Sequence, residues 1–228
     1  MLIEVITIFP GMFASVMTQG VLGKAQERGI LNLRAINLRD YCTDRHRVTD
    51  DYPFGGGAGL VMKPEPVFRA MAHLRHDHPE AVSILTSPQG EHFTQEMARE
   101  LAGRRHLIFL CGRYRGVDER AREKLFDREV SLGDYVLSGG ELAVMVMIDA
   151  ITRLLPGTLG NVDSLEEESF SPSLLDSPQW TRPQDYEGMS VPEVLVSGDH
   201  KEIELWRRQK ALEATRKHRP DLLDNSTT

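Results

Sequence analysis

A chain of 228 residues, 40% hydrophobic and 27% charged, has a globular composition and room for one α/β domain plus a smaller one, which excludes wholesale disorder. Its net charge of −7 excludes a general basic coat for nucleic acid, so charge has to be sought segment by segment. No apolar run approaches bilayer length, MLIEVITIFP carries no signal-peptide pattern, and Cys42 and Cys111 fit no zinc spacing. The expectation is a cytoplasmic protein with no membrane partner, no disulfide framework and no metal site.

Leu2 to Phe9 is rich in Ile and Val and reads as a strand buried on both faces, followed by a helix from about Met12 to Arg28. Ile30 to Leu38 alternates with period two, as a half-exposed strand does, and Arg39 to Leu60 is a long polar loop. A helix led by Pro64 and Pro66, a strand at Ala81–Thr86, a helix at Phe93–Arg104 and a strand at His106–Cys111 come next. ELAVMVMIDAITRLLPG, residues 141 to 157, reads as a buried helix. This β-α alternation predicts a parallel sheet covered by helices, with ligands at the carboxyl ends of the strands. Past Pro156, proline, serine and glycine become frequent and periodicity is lost, which marks a linker. The boundaries drawn are an α/β domain at 1–160, a linker at 161–172 and a helical domain at 173–228. A last helix starts at Asp199, which has capping-box spacing to Glu202. Charge divides the same way: Asn161–Glu168 holds four acids and no base, whereas Lys201–Arg219 is locally +4.

Three loops bear glycine in one half of the chain: TSPQG from Thr86, CGRYRGVDER from Cys111 and SLGDYVLSGGE from Ser131. In the last, Ser138 and Glu141 have capping-box spacing, but that motif needs no glycine at 139 or 140. Either the strand-to-helix turn is very tight, or a ligand lies across bare backbone. FGGGAGL, from Phe54, lacks the preceding apolar strand of a dinucleotide fingerprint, and reads as a mobile or close-approach loop. HLRHDH, from His73, reads as a solvated helix terminus rather than a metal site.

CGRYRGVDER, SLGDYVLSGGE, LLPGTLGN, WTRP and VLVSGDHKEIELWRRQKAL, in this order, resemble the bacterial tRNA (guanine-N1)-methyltransferases, the TrmD family of the SPOUT superfamily. So do ITIFPGMF and DDYPFGGGAGLVMKPEP, and the likeness spans nearly the whole chain. It implies a methyl transfer from S-adenosylmethionine to N1 of the guanosine at tRNA position 37, 3′ of the anticodon. It also implies a homodimer with its active site at the subunit interface, a SPOUT-type sheet tied in a deep trefoil knot, and a small α-helical C-terminal domain that grips tRNA.

By position, the resemblance assigns cofactor binding to Thr86, Ser87, Pro88, Gln89 and Gly90, and to Leu110, Gly112, Arg113 and Tyr114. The third stretch comprises Leu132, Gly133 and Asp134, then Tyr135, Val136 and Leu137, then Ser138, Gly139 and Gly140. Arg115 departs from the family, which often has a glutamate there near the cofactor's methionine end. Asp118 or Asp134 is then left to compensate.

Guanine N1 carries a proton and is a poor nucleophile until that proton leaves. A carboxylate near N1 and a cation near O6 answer that need. The resemblance gives these roles to Glu168, where the family has an aspartate, and to Arg153. Because the two acids' reference pKa values differ by only about 0.4 unit, the substitution changes reach rather than basicity. Arg182, Trp206, Arg207 and Arg208 are the candidates for RNA contact, with the DRHR stretch from Asp44 a further basic loop. The resemblance raises magnesium as well, but no carboxylate cluster defines a site for it. Two rivals stand beside this reading: a ribose-methylating SPOUT enzyme, against which Arg153 and Glu168 argue, and an RNA-binding protein that has lost catalysis.

Overall fold

The computed structural model describes residues 1–159, 168–170 and 174–224. The chain divides into two compact units, Met1–Gly160 and Asn161–Thr228. The linker expected at 161–172 lies largely outside the described residues.

The first unit is built on a five-stranded, wholly parallel sheet in the order β2-β1-β6-β5-β7. Its strands are β1 (Leu2–Thr7), β2 (Asn32–Asn37), β5 (Val82–His92), β6 (His106–Cys111) and β7 (Arg128–Ser131). Between β2 and β5 a two-residue ladder, β3 (Asp50–Asp51) with β4 (Val61–Met62), closes the base of the long loop. The two central strands read as near-continuous apolar runs because both of their faces are covered. Ile3, Val5, Leu107 and Phe109 belong to one core, with α2 (Gly20–Glu27), α4 (Gln95–Ala102) and α6 (Glu141–Arg153). Ile6, Ile108 and Leu110 belong to the other, with α3 (Pro64–His76) and α5 (Glu119–Leu125).

Several expectations need correction. The helix foreseen over Met12–Arg28 is broken: a 3-10 turn at Pro10–Phe13 leads into α1 (Ala14–Thr18), and Gln19 is extended before α2 begins. α6 stops at Arg153, four residues short of the predicted end. α4 begins at Gln95 rather than Phe93, because Thr94 caps it by accepting from the Met97 N–H. β7 and α5 were not foreseen.

The second unit holds a short hairpin, Asp185–Tyr186 with Met189–Ser190, and a 19-residue helix, His200–His218. The Asp199 side chain caps that helix as its spacing foretold, accepting from the Lys201 and Glu202 N–H groups. Buried Thr215 ties the helix to the segment before it, accepting from the Leu175 N–H at 2.9 Å and donating to the Ala211 carbonyl at 2.8 Å. No helix among the described residues is long and apolar enough to cross a membrane.

Candidate functional site

Three loops leave the carboxyl ends of β5, β6 and β7 and enclose a cavity of about 310 Å³. The first is thrown out of the sheet itself. Val130 of β7 pairs with both Thr86 and Glu91 of β5, so residues 87–90 form an excursion within one strand. The loop after β6 is pinned to the third loop: the Gly140 N–H donates to the Gly112 carbonyl at 2.8 Å, and Arg113 bridges to Gly139. Here the extra glycines find their reason. A Cβ at Gly140 would lie 2.0 Å from Thr86 Oγ1 and 2.9 Å from Cys111 Cα, so nothing larger fits between these loops.

The capping box expected of Ser138 and Glu141 does not form. Gly140 is the N-cap residue of α6 and no side chain caps it. Glu141, only 1% exposed, instead accepts from Thr7 Oγ1 at 2.8 Å and from Arg113 Nε at 3.1 Å. Arg113 also lies over the Phe9 ring, 4.5 Å from its centre. Burial of this carboxylate is sustained by a cation and a hydroxyl, one brought from β1 and the other from the loop after β6. Close by, Cys111 is wholly buried, and that burial pushes its thiol pKa far up, so it is an inert core residue.

Every residue that the resemblance assigns to the cofactor lines this cavity except Gly90, Leu110 and Asp134. Gly90 packs on the backbone of β7, where a Cβ would lie 2.3 Å from the Val130 nitrogen. Leu110 is fully buried on the α3–α5 side of the sheet. The Asp134 carboxylate stands 94% exposed and faces His92 at 3.3 Å, so it neither fixes its own turn nor meets the cavity. Arg115 does line the cavity, and its side chain donates to the Ala58 carbonyl of the FGGGAGL loop at 3.3 Å. Asp118 caps α5 and forms an ion pair with Arg120. That pairing lowers its pKa.

Tyr114 holds a left-handed backbone, φ 59°, which is costly for an aromatic residue. Burial, and then the hydrogen bond to the Asp50 carboxylate, raise the pKa of its phenol. The wall also takes in Glu119, Arg122 and Glu129. The sequence reading missed all three because they stand on α5 and β7, the unforeseen elements.

The remaining candidates stand on other elements. Arg153 is half-buried at the far end of α6. Glu168, Arg182, Trp206, Arg207 and Arg208 all belong to the second unit; Glu168 and Trp206 are half-buried, and the three other arginines are exposed. The histidines of HLRHDH go to separate partners: His73 to Tyr41, His76 to Asp77 and His78 to Glu80. Among the described residues no group of three or more His, Cys, Asp or Glu is arranged to hold a metal ion.

A parallel sheet whose strand-end loops wall a small cavity with bare backbone defines the class, an α/β protein with a cavity of small-molecule size at the carboxyl edge of its sheet. The family is settled by comparison. The model of the family tRNA (Guanine-1)-methyltransferase TrmD matches residues 1–225, and the chain belongs to that family. Among curated relatives, the tRNA (guanine-N(1)-)-methyltransferase of Dictyoglomus turgidum is 51% identical, covering 99% of this chain and 91% of its own length. The proteins of the same name from Staphylococcus epidermidis and Geobacter sulfurreducens are each 53% identical, covering 98% and 96% of this chain and 91% and 90% of their own.

Proposed function

We propose that this chain is a cytoplasmic enzyme that moves a methyl group from S-adenosylmethionine to N1 of the guanosine at tRNA position 37. The observation that carries the reading is the convergence of three strand-end loops on one cavity, in a chain of this family. The cavity fits the cofactor in size, being within the range of small-molecule sites. It fits in chemistry too, since one wall is backbone and uncharged side chains from Leu132 to Gly140, suited to a flat base, and another carries charge.

When bound, S-adenosylmethionine supplies a methyl group made electrophilic by its sulfonium. The chain's task is to make N1 a nucleophile. Glu168 takes the proton from N1 and Arg153 offsets the negative charge that gathers on O6, so that N1 can accept the methyl carbon while the carbon–sulfur bond breaks with its electron pair left on sulfur.

This assignment has a geometric consequence. α6 starts at the cavity and ends at Arg153, and its 13 residues span about 20 Å at 1.5 Å per residue. An arginine cannot reach back that far, so Arg153 serves the cavity of a second copy. That supports a homodimer with the active site at the subunit interface. The exposed apolar residues Leu142 and Val146 of α6, with Val136 and Leu137 of the cavity loop, suit such a contact. A deep trefoil knot belongs to the same reading, which rests for it on membership of the family.

Incubation with tRNA and methyl-labelled cofactor, followed by mapping of the modified nucleotide, tests the reading. Label at N1 of guanosine 37 is expected; label on a ribose, or none, overturns it. The same assay with and without magnesium decides whether the ion takes part.

A further inference from the structure

Two carboxylates stand on the cavity wall, Glu119 and Glu129, and a single guanidinium holds both. Arg122 donates through Nε and Nη2 to the two oxygens of Glu119, at 2.8 and 2.6 Å. Its Nη1 donates to Glu129 Oε2 at 3.0 Å and to Gln89 Oε1 at 2.8 Å. Glu119 therefore has both oxygens occupied and is more than half exposed. Glu129 differs: its side chain is 22% exposed, and its Oε1 has no hydrogen-bond partner among the described residues.

The other charges on the wall are committed. Arg113 is neutralised by buried Glu141, and Arg115 reaches the Ala58 carbonyl. The opposite wall, Leu132 to Gly140, contributes no charged side chain to the cavity. A ligand with an uncharged base at one end and an ammonium at the other has one way to satisfy both walls.

We propose that Glu129 accepts, through Oε1, the ammonium at the methionine end of S-adenosylmethionine, and that Arg122 and Gln89 act as positioning residues that hold its carboxylate toward the cavity. The inference rests on the reading of the cavity as the cofactor site and names the residue that gives this end its charge. It also accounts for Arg115. The attraction that an acid at that position would exert comes in this chain from β7, and neither Asp118 nor Asp134 lines the cavity to supply it.

The test compares two ligands by titration calorimetry at low salt. S-adenosylhomocysteine keeps the ammonium; 5′-methylthioadenosine has the adenosine and sulfur but no amino-acid end. For Glu129→Gln, which keeps the bond to Arg122, S-adenosylhomocysteine is expected to bind about tenfold more weakly than to wild type, and methylthioadenosine within about twofold. Equal weakening of both ligands makes Glu129 a structural residue and overturns the proposal, as does unchanged binding of S-adenosylhomocysteine. Wild-type protein that binds neither ligand removes the cofactor reading itself, and the role of Glu129 with it.

Discussion

The two units place their polar chemistry in opposite ways. Met1–Gly160 turns it inward, with Glu4, His106 and Glu141 all 5% exposed or less, whereas Asn161–Thr228 displays Arg182, Arg207 and Arg208 to solvent. Enclosed groups act at low dielectric and fixed distance, which suits selection of a small ligand by shape and hydrogen bonding. Displayed cations act through solvent, attract a polyanion over about a Debye length, and lose their hold as salt rises. Under the proposed function, one unit selects a small molecule and the other gathers a large charged one.

Two variants test whether catalysis draws on both units and both copies. A mixed dimer of one Arg153→Ala subunit and one Gly140→Val subunit keeps one intact site if Arg153 serves its partner's cavity. About half of wild-type activity is then expected, and essentially none if Arg153 acts within its own chain. Glu168→Gln is expected to slow single-turnover methylation about 10²- to 10⁴-fold, and a rate within a few fold of wild type removes Glu168 from the mechanism.

The inward half of the comparison is tested by stability. Arg113→Ala leaves Glu141 buried without its cation, for a loss of about 3–5 kcal/mol in urea unfolding; a loss no larger than a surface substitution gives would mean water already reaches that carboxylate. For the outward half, the double variant Arg207→Glu, Arg208→Glu is expected to weaken tRNA binding about tenfold and flatten its salt dependence, with S-adenosylhomocysteine binding unmoved.

The smallest effect lies at the other end of the sheet. Buried His106 bonds to Glu4 at 3.0 Å, and its Nδ1 has no partner among the described residues. Burial lowers its pKa below the ordinary 6.5 despite that carboxylate. A depressed folded-state pKa means the unfolded chain takes up the proton first. Stability is therefore intact above pH 6.5 and declines as pH falls from there through the folded value. Unfolding titrations from pH 8 to 5 should show this decline and a smaller one in His106→Gln.

What the sequence made legible was whatever depends on near neighbours. The apolar runs of β1 and β6 could hardly be anything but covered strands, and Asp199 announces its helix. β7 stayed hidden because Arg-Glu-Val-Ser offers one large apolar residue, and edge strands need no more. Glu141 was misread for a related reason. Capping-box spacing is a local cue, yet its carboxylate is claimed by Thr7 and Arg113, residues 134 and 28 positions away. The cavity loops were found by glycine and by resemblance, but the charged wall was not, since Glu119, Arg122 and Glu129 converge only when α5 and β7 stack beside β5.

The double use of Val130 bears on how such a protein changes over generations. Thr86 and Glu91 both register on that one residue, so the sheet on either side of the excursion is paired without reference to how many residues the excursion holds. A residue gained or lost between Ser87 and Gln89 alters the shape of the cavity at a small closure cost and leaves the strand order intact. Gly90, wedged on β7, marks the limit of that freedom. The length of this part of the cavity wall is thus separate from the register of the core strand that carries it.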